Sequence, residues 1–103
     1  MEMNIRVLRE RKSGSDVLRR YDEVARLLTG DGQANADGGV KWVRGMVQAL
    51  KIPSLRSFGI TPGDVPAIVE KASKASSMKG NPVELKEEEL WEILHQGLYR
   101  PAI

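Results

Sequence analysis

Apolar residues recur along much of the chain at the spacing of half-buried helices. The clearest stripe follows Asp16, and charged residues fill the positions between its apolar members. The apolar members are Val17, Leu18, Tyr21, Val24, Ala25 and Leu28. This period puts the apolar side chains on one face of a helix and the charged ones on the other. Asp16 is a suitable N-cap and Gly30 a suitable stop, so the pattern predicts a helix between them.

A second helix is predicted after residues 29–39, a segment rich in turn-forming residues. Asp37 is the expected cap of this helix, and Trp42 lies at the edge of its apolar face. That face comprises Val40, Val43, Met46, Val47 and Leu50. Pro53 ends the helix, because proline disfavours helical backbone at the residue before it.

Two further helices are predicted in the second half of the chain. Thr61-Pro62-Gly63-Asp64 is a start signal, because it combines a threonine cap, a proline at the first helical position and a nearby acidic residue. The last helix begins at Glu87, where negative charge is favourable. The inward positions are Val65, Ile68, Val69 and Ala72, then Leu90, Ile93, Leu94 and Leu98. Residues 54–59 predict a short turn that directs Leu55 and Phe58 inward.

No segment alternates apolar and polar residues as a strand does, so the sequence predicts an all-α fold, a helical bundle. Folding a chain of this length buries roughly 60–70% of its extended surface, which is enough for one core. We expect a single domain over residues 1–103. Its parts are a basic N-terminal segment at 1–15, a helical core at 16–98 and a tail at 99–103.

The composition excludes several classes of protein. The chain has no cysteine, so disulfides, thiolate metal sites and cysteine nucleophiles are excluded. No apolar run approaches the roughly 20 residues that span a bilayer, and the first residues lack the pattern of a signal peptide. We therefore expect a soluble cytoplasmic protein that does not bind a membrane.

Basic residues are concentrated near the start of the chain, although 16 basic residues face 14 acidic ones overall. The cluster comprises Arg6, Arg9, Arg11 and Lys12. These side chains could contact phosphates, but a solvated helix face is the commoner explanation of such a run. Nucleic acid is therefore not the expected partner.

Few residues suggest chemistry. His95 is the only histidine, so the histidine cluster of a transition-metal site is absent. Ser76 and Lys79 have the Ser-x-x-Lys spacing of penicillin-binding enzymes, but neither companion motif of that class occurs. Gly30-Asp31-Gly32 follows a helix and lacks the third glycine of a nucleotide-binding loop. These residues alone identify no catalytic, cofactor-binding or metal-binding residue in this chain.

Five short motifs, taken in order, resemble those of the iron-containing alcohol dehydrogenases. Residues 21–28 are similar to the family's "RYxEVAR" helix, and residues 50–55 to its "LGIPxxL" junction. Residues 58–61 are similar to the "xGIT" that follows. Residues 76–82 resemble the loop that ends in Asn-Pro, and residues 90–94 resemble the closing "LTxxDLxEIL" helix.

The resemblance runs from Asn4 to Leu98 and implies the terminal part of a dehydroquinate synthase-like helical domain. Such enzymes also have an N-terminal Rossmann-like domain that binds NAD(P). Their metal, usually Fe²⁺ and sometimes Zn²⁺, is held by one aspartate and three histidines. The resemblance implies that these ligands and the pyrophosphate motif lie upstream of the matched segment, so we expect no cofactor in this chain itself.

The resemblance also implies three residues that line a substrate pocket. Ser77 stands where many members have a cysteine near that pocket, and Asn81 and Pro82 match the Asn-Pro of the loop. Val83 replaces the arginine that is common after Asn-Pro, and Lys86 replaces the usual threonine or serine cap. The alternative interpretation is a loop that only links two helices.

The leading hypothesis is a C-terminal fragment or truncated relative of an iron-containing, NAD(P)-dependent alcohol dehydrogenase. Such a chain would be inactive alone and would work with a separate N-terminal nucleotide-binding portion. The alternatives are a stand-alone helical interaction module and a small nucleic-acid-binding protein. Because helices without their partners expose apolar surface, we also expect a homo-oligomer. The predicted exposed surface comprises Trp42, Trp91, Ile5 and Leu8.

Overall fold

Five α-helices and three short 3₁₀ helices form the regular structure of the computed structural model, which describes residues 1–101 and 103. The α-helices are α1 (Glu2–Arg11), α2 (Asp16–Thr29), α3 (Ala36–Ala49), α4 (Val65–Lys74) and α5 (Glu87–Tyr99), and the 3₁₀ helices are Leu55–Phe58, Pro62–Asp64 and Ser76–Gly80. These residues contain no strand, which confirms the predicted all-α fold class. None of their helices is long and apolar enough to cross a bilayer. Ala102, in the predicted tail, lies outside the described residues.

The chain divides into two compact units. The helices α1, α2 and α3 make up the N-terminal unit, residues 1–51. The remaining helices make up the C-terminal unit, which begins at Ile52. The single domain with boundaries at 1–15, 16–98 and 99–103 stays a prediction.

The helix α1 occupies most of the segment that the charge pattern sets apart as basic. Met3 and Val7 lie on one side of it and Ile5 and Leu8 on the other, and all four are buried. The prediction that Ile5 and Leu8 belong to an exposed surface was therefore wrong. Because two sides of α1 are buried, its charged residues share one narrow strip of the surface. The many charged residues in this part of the sequence therefore suggest an exposed helix, although α1 is buried on two sides.

The start of α2 differs by one residue from the predicted cap. Ser15 Oγ accepts a hydrogen bond from the Leu18 N–H at 3.2 Å, so Ser15 is the N-cap. Asp16 is the first helical residue, and its carboxylate binds the Arg19 guanidinium at 2.7 Å instead. Gly30 ends the helix as predicted, with a left-handed φ of 70°.

Asn35, not the predicted Asp37, caps α3, because its side-chain oxygen accepts from the Gly38 N–H at 3.0 Å. The Asp37 carboxylate instead binds the Arg9 guanidinium of α1 through two hydrogen bonds of 2.8 and 3.1 Å. These bonds lower the pKa of Asp37 and raise that of Arg9. Arg44 of α3 forms a second ion pair with Glu2 of α1. The two pairs show that α1 runs antiparallel to α3.

The helices α2 and α3 approach each other closely at Gly39. A Cβ atom added to Gly39 would lie 2.9 Å from the Ala25 Cβ and 3.2 Å from the Ala25 Cα. Ala25 and Gly39 are both buried. Nearby, the Asp22 carboxylate accepts a hydrogen bond from the Ala36 N–H at 2.7 Å, which satisfies a donor in the first turn of α3. Small residues at this crossing therefore set the distance between the two helices.

In the C-terminal unit, α4 and α5 share one core. Its buried members are Val65, Val69, Leu90 and Leu98, with Leu55, Ile60, Ala72, Met78, Leu85 and Leu94 packed around them. Leu55 thus points inward as predicted. Phe58 does not: it is 71% exposed, and that prediction was wrong. Phe58 is the last residue of a one-turn 3₁₀ helix, and Gly59 ends this helix with a left-handed φ of 85°. A helix this short places Leu55 against the core but leaves the Phe58 ring on the surface.

The predicted start signal of α4 is confirmed. The Thr61 N–H and hydroxyl both donate to Asp64 Oδ2, at 2.9 and 3.0 Å. These hydrogen bonds, the backbone one most of all, lower the pKa of Asp64. The first turn, Pro62–Asp64, is a 3₁₀ helix, and the regular α-helix follows it from Val65.

Gly39→Ala is expected to destabilise the chain, because the Ala25 Cβ and Cα cannot yield as a flexible side chain would. Overpacking costs about 1–3 kcal/mol of unfolding free energy, which exceeds the roughly 0.5–1 kcal/mol that alanine gains over glycine in a helix. Gly45→Ala in the same helix is the control, since nothing lies within 4 Å of its added Cβ. Urea unfolding should show Gly45→Ala as slightly more stable than the parent. If both variants gained the same unfolding free energy, α2 and α3 could move apart without cost and the close approach at Gly39 would not matter for stability.

Candidate functional site

Two local hydrogen bonds order the connection between α4 and α5, one near its middle and one where it meets α5. After the 3₁₀ helix Ser76–Gly80, the Asn81 side-chain amide donates to the Val83 carbonyl oxygen at 2.6 Å. Val83 is buried, which suits the apolar side chain at this position. At the start of α5, the Lys86 N–H donates to Glu89 Oε1 at 2.7 Å. The connection is therefore a fixed structure beside the core of the C-terminal unit.

A cleft of about 390 Å³ opens along this connection. Its residues come from the end of α4, the 3₁₀ helix and the segment before α5: Ser73, Lys74, Ala75, Met78, Lys79, Asn81, Glu84 and Leu85. We call it the Asn81 cleft. Small-molecule sites in proteins have volumes of roughly 300–1,000 Å³ and combine an apolar lining with a few polar groups. The volume of the Asn81 cleft lies in this range, and its lining combines three apolar residues, Ala75, Met78 and Leu85, with five polar or charged ones.

The polar and charged side chains of the Asn81 cleft differ in their partners. The Lys74 ammonium lies 3.3 Å from Glu70 Oε1, one helical turn away. Glu84 has an interaction within the chain. The Ser73 hydroxyl donates to the Glu70 carbonyl oxygen at 2.8 Å. Lys79 has no ion pair with a residue that the structure describes.

The structure brings one of the three predicted pocket residues to this cleft. Asn81 lines it, whereas Ser77 and Pro82 are exposed and are not among its lining residues. Sequence reasoning considers Lys79 only within a Ser-x-x-Lys spacing and does not connect it with Asn81. Its position two residues before Asn81 is the signal that points to a shared site.

The single histidine is part of an aromatic row on α5. The His95 ring stacks on Trp91 with 4.6 Å between ring centroids, and its edge meets Tyr99 at 5.3 Å. The Arg56 guanidinium lies 5.6 Å from the Tyr99 centroid. Spacing of four residues places these three rings on one side of the helix. Trp91 is 46% exposed, as the sequence predicted for a surface residue.

The side chains of the described residues do not form a site for a bound metal ion. No three His, Cys, Asp or Glu side chains within residues 1–101 and 103 lie together in a way that could hold an ion. His95, the one imidazole, is engaged with two aromatic rings. A transition-metal site needs several such donors around one point.

Arginines of the basic segment near the N-terminus interact with other residues of the chain. Arg9 is bound to Asp37 through both of its terminal nitrogens. Arg6 and Arg11 also have interactions within the chain. Residues already paired with protein groups are less available to phosphates, which weakens the interpretation of this segment as a nucleic-acid surface.

The N-terminal unit has an apolar groove of about 510 Å³ on α3. It is lined by Thr29, Gly38, Lys41, Trp42, Gly45, Met46 and Ala49. Trp42 and Met46 are 37% and 41% exposed, so the predicted exposure of Trp42 is confirmed. A helix with apolar residues on its solvent side as well as its core side is typical of one that is covered on both sides.

The comparisons with known proteins give one family. The model of the Fe-containing alcohol dehydrogenase family, C-terminal, matches residues 5–98 of the chain. No curated protein and no solved structure matches it.

Asn81→Ala is expected to lower the unfolding free energy by about 1 kcal/mol or more, because the Val83 carbonyl oxygen loses its donor. Ser77→Ala is the matched control in the same connection, and an exposed serine should change stability by less than about 0.5 kcal/mol. Urea unfolding measures both variants. Equal stability of the two would show that the Asn81 hydrogen bond does not hold the connection.

Proposed function

Because the chain belongs to the Fe-containing alcohol dehydrogenase family, as part of its C-terminal helical domain, we propose that it works with a separate portion that carries the metal and the nucleotide. The observation that carries this proposal is the match of residues 5–98 to the family's C-terminal model. The family's chemistry requires iron and NAD(P).

The donor groups of the described residues support a division of labour between two portions. They offer no cluster that could hold a metal ion, so the metal-binding groups must come from another portion. The chain then contributes helical packing and a fixed connection, residues 75–86, whose backbone is held by Asn81 and Lys86. On this proposal the isolated chain is a C-terminal fragment or truncated relative without activity of its own.

We propose that Ser77, Asn81 and Pro82 border the substrate in the complete enzyme. The support is the family match across this connection and the position of Asn81 in a cleft that suits a small molecule. The exposed Ser77 and Pro82 would meet the metal-bearing portion or the substrate from the open side. For the compartment, a chain without cysteine fits a reducing environment, and we propose the cytoplasm on composition.

A stand-alone interaction module is the second candidate, and the exposed apolar side chains favour it. Leu27 and Phe58 are 84% and 71% exposed, and the groove on α3 adds Trp42 and Met46. Exposure of large apolar side chains to water is unfavourable, and contact with a partner protein would bury them. Two copies of one chain can bury the same patch against itself around a two-fold axis, so we propose a homo-oligomer formed through this groove.

The isolated chain is expected not to bind Fe²⁺ with sub-micromolar affinity, because residues 1–101 and 103 hold no cluster of metal-ligating side chains. It is also expected not to bind NAD(P)H at that affinity, because the sequence has no complete glycine-rich nucleotide loop. Calorimetric titration with Fe²⁺ and with the nucleotide measures this. Sub-micromolar binding of either would contradict the proposal. A fusion in which the chain replaces the matching region of an Fe-containing alcohol dehydrogenase should retain one Fe²⁺ per polypeptide. Its control is the same enzyme truncated at the junction, and a fusion that behaves like the truncation would also count against the proposal.

Self-association should grow with concentration and depend on the groove. Met46→Glu places a charge in the apolar groove and is expected to shift the chain to monomer in sedimentation velocity. Leu27→Glu is the control, because Leu27 is more exposed but does not line the groove. A monomer at every concentration, or an equal effect of both substitutions, would exclude an interface at this groove.

A further inference from the structure

We propose that the Asn81 cleft binds a short-chain organic carboxylate, with the Lys79 ammonium as the partner of the anion and the apolar lining as the seat of the aliphatic chain. The inference rests on the proposed function only where it calls this ligand a substrate. The binding itself follows from the cleft.

The charged side chains that line the cleft differ in whether they are already paired. The Lys74 ammonium is bound to Glu70 at 3.3 Å, and Glu84 has an interaction within the chain. Lys79 is the lining cation without an ion pair among the described residues. An ammonium at the edge of a concave surface is a ready partner for an oxyanion, because charge-assisted hydrogen bonds are stronger than neutral ones.

Two apolar residues belong both to the cleft and to the core. Met78 and Leu85 line the cleft and also pack against the core of the C-terminal unit. Their positions are therefore fixed before any ligand arrives, which reduces the entropy lost on binding. Ala75 adds a small side chain that leaves room beside them. These three side chains suit methylene groups, and the polar residues of the lining surround the charged end of the ligand.

The balance of charge in the cleft favours a monoanion such as a carboxylate over a phosphate dianion. The lysine ammonium is a single point charge that binds either kind of anion. Glu84 also lines the cleft, and its carboxylate would repel a dianion more than a monoanion. If the proposed function holds, the substrate is an alcohol or aldehyde that carries a carboxylate at its far end.

The test is a titration of the full chain, followed by backbone amide NMR, with hexanoate, hexan-1-ol and inorganic phosphate. Hexanoate should shift the amides of residues 73–85 saturably, with a Kd of about 1–10 mM for a ligand of this size. Hexan-1-ol has the same chain without the charge and should bind several-fold more weakly. Inorganic phosphate should give no saturable shift. Tighter binding of phosphate than of hexanoate would overturn the carboxylate assignment.

Two lysine variants separate a site from a general attraction of anions. Lys79→Gln should weaken hexanoate binding about tenfold and leave hexan-1-ol binding unchanged. Lys71→Gln on α4 removes the same charge outside the cleft and should have no effect. Equal effects of the two substitutions, or no saturable shift with hexanoate, would overturn the inference. Failure of the fusion to retain Fe²⁺ would bear only on the proposed function, because this titration needs no metal.

Discussion

The packing of the N-terminal unit depends on the absence of a side chain at Gly39. With only hydrogen at this position, Ala25 and the backbone of α2 come close to α3, and Asp22 can reach the first turn of that helix. The helix α3 in turn presents Asp37 to Arg9 of α1. Because both side chains of that ion pair are largely exposed, it contributes less than about 1 kcal/mol and sets mainly the direction of α1. The buried apolar residues of α1 hold it in place.

In the C-terminal unit, the same side chains serve the core and the cleft. Met78 and Leu85 close the core of α4 and α5 and also form the apolar part of the Asn81 cleft. A cleft built in this way changes shape only if the core does. Of the polar groups beside it, Asn81 also holds the Val83 carbonyl oxygen, whereas Lys79 has no ion pair among the described residues. A change at Lys79 therefore alters the charge of the cleft without removing a contact that orders the connection.

Sequence reasoning succeeds where one face of a helix is buried, since the period of 3.6 residues is then visible, as in α4. In α2 the predicted apolar face was wrong at Val24, which is 42% exposed. Sequence reasoning fails for α1, where Ile5 and Leu8 are buried opposite a second apolar side and the expected contrast between faces disappears. It also misplaces the α3 cap, because Asn35 and Asp37 are both capable and Arg9 decides between them. In the cleft, a family motif identifies Asn81. Lys79 lines the same cleft, and its only local signal is its position two residues before Asn81.

The placement of the two tryptophans gives each unit its own optical signal. Trp42 lies in the N-terminal unit at the apolar groove, and Trp91 lies in the C-terminal unit with its ring stacked on His95. The two indoles therefore stand in different surroundings, one beside an open groove and one against another ring. A variant that keeps only one of them carries an intrinsic optical probe of a single unit, without any label attached to it.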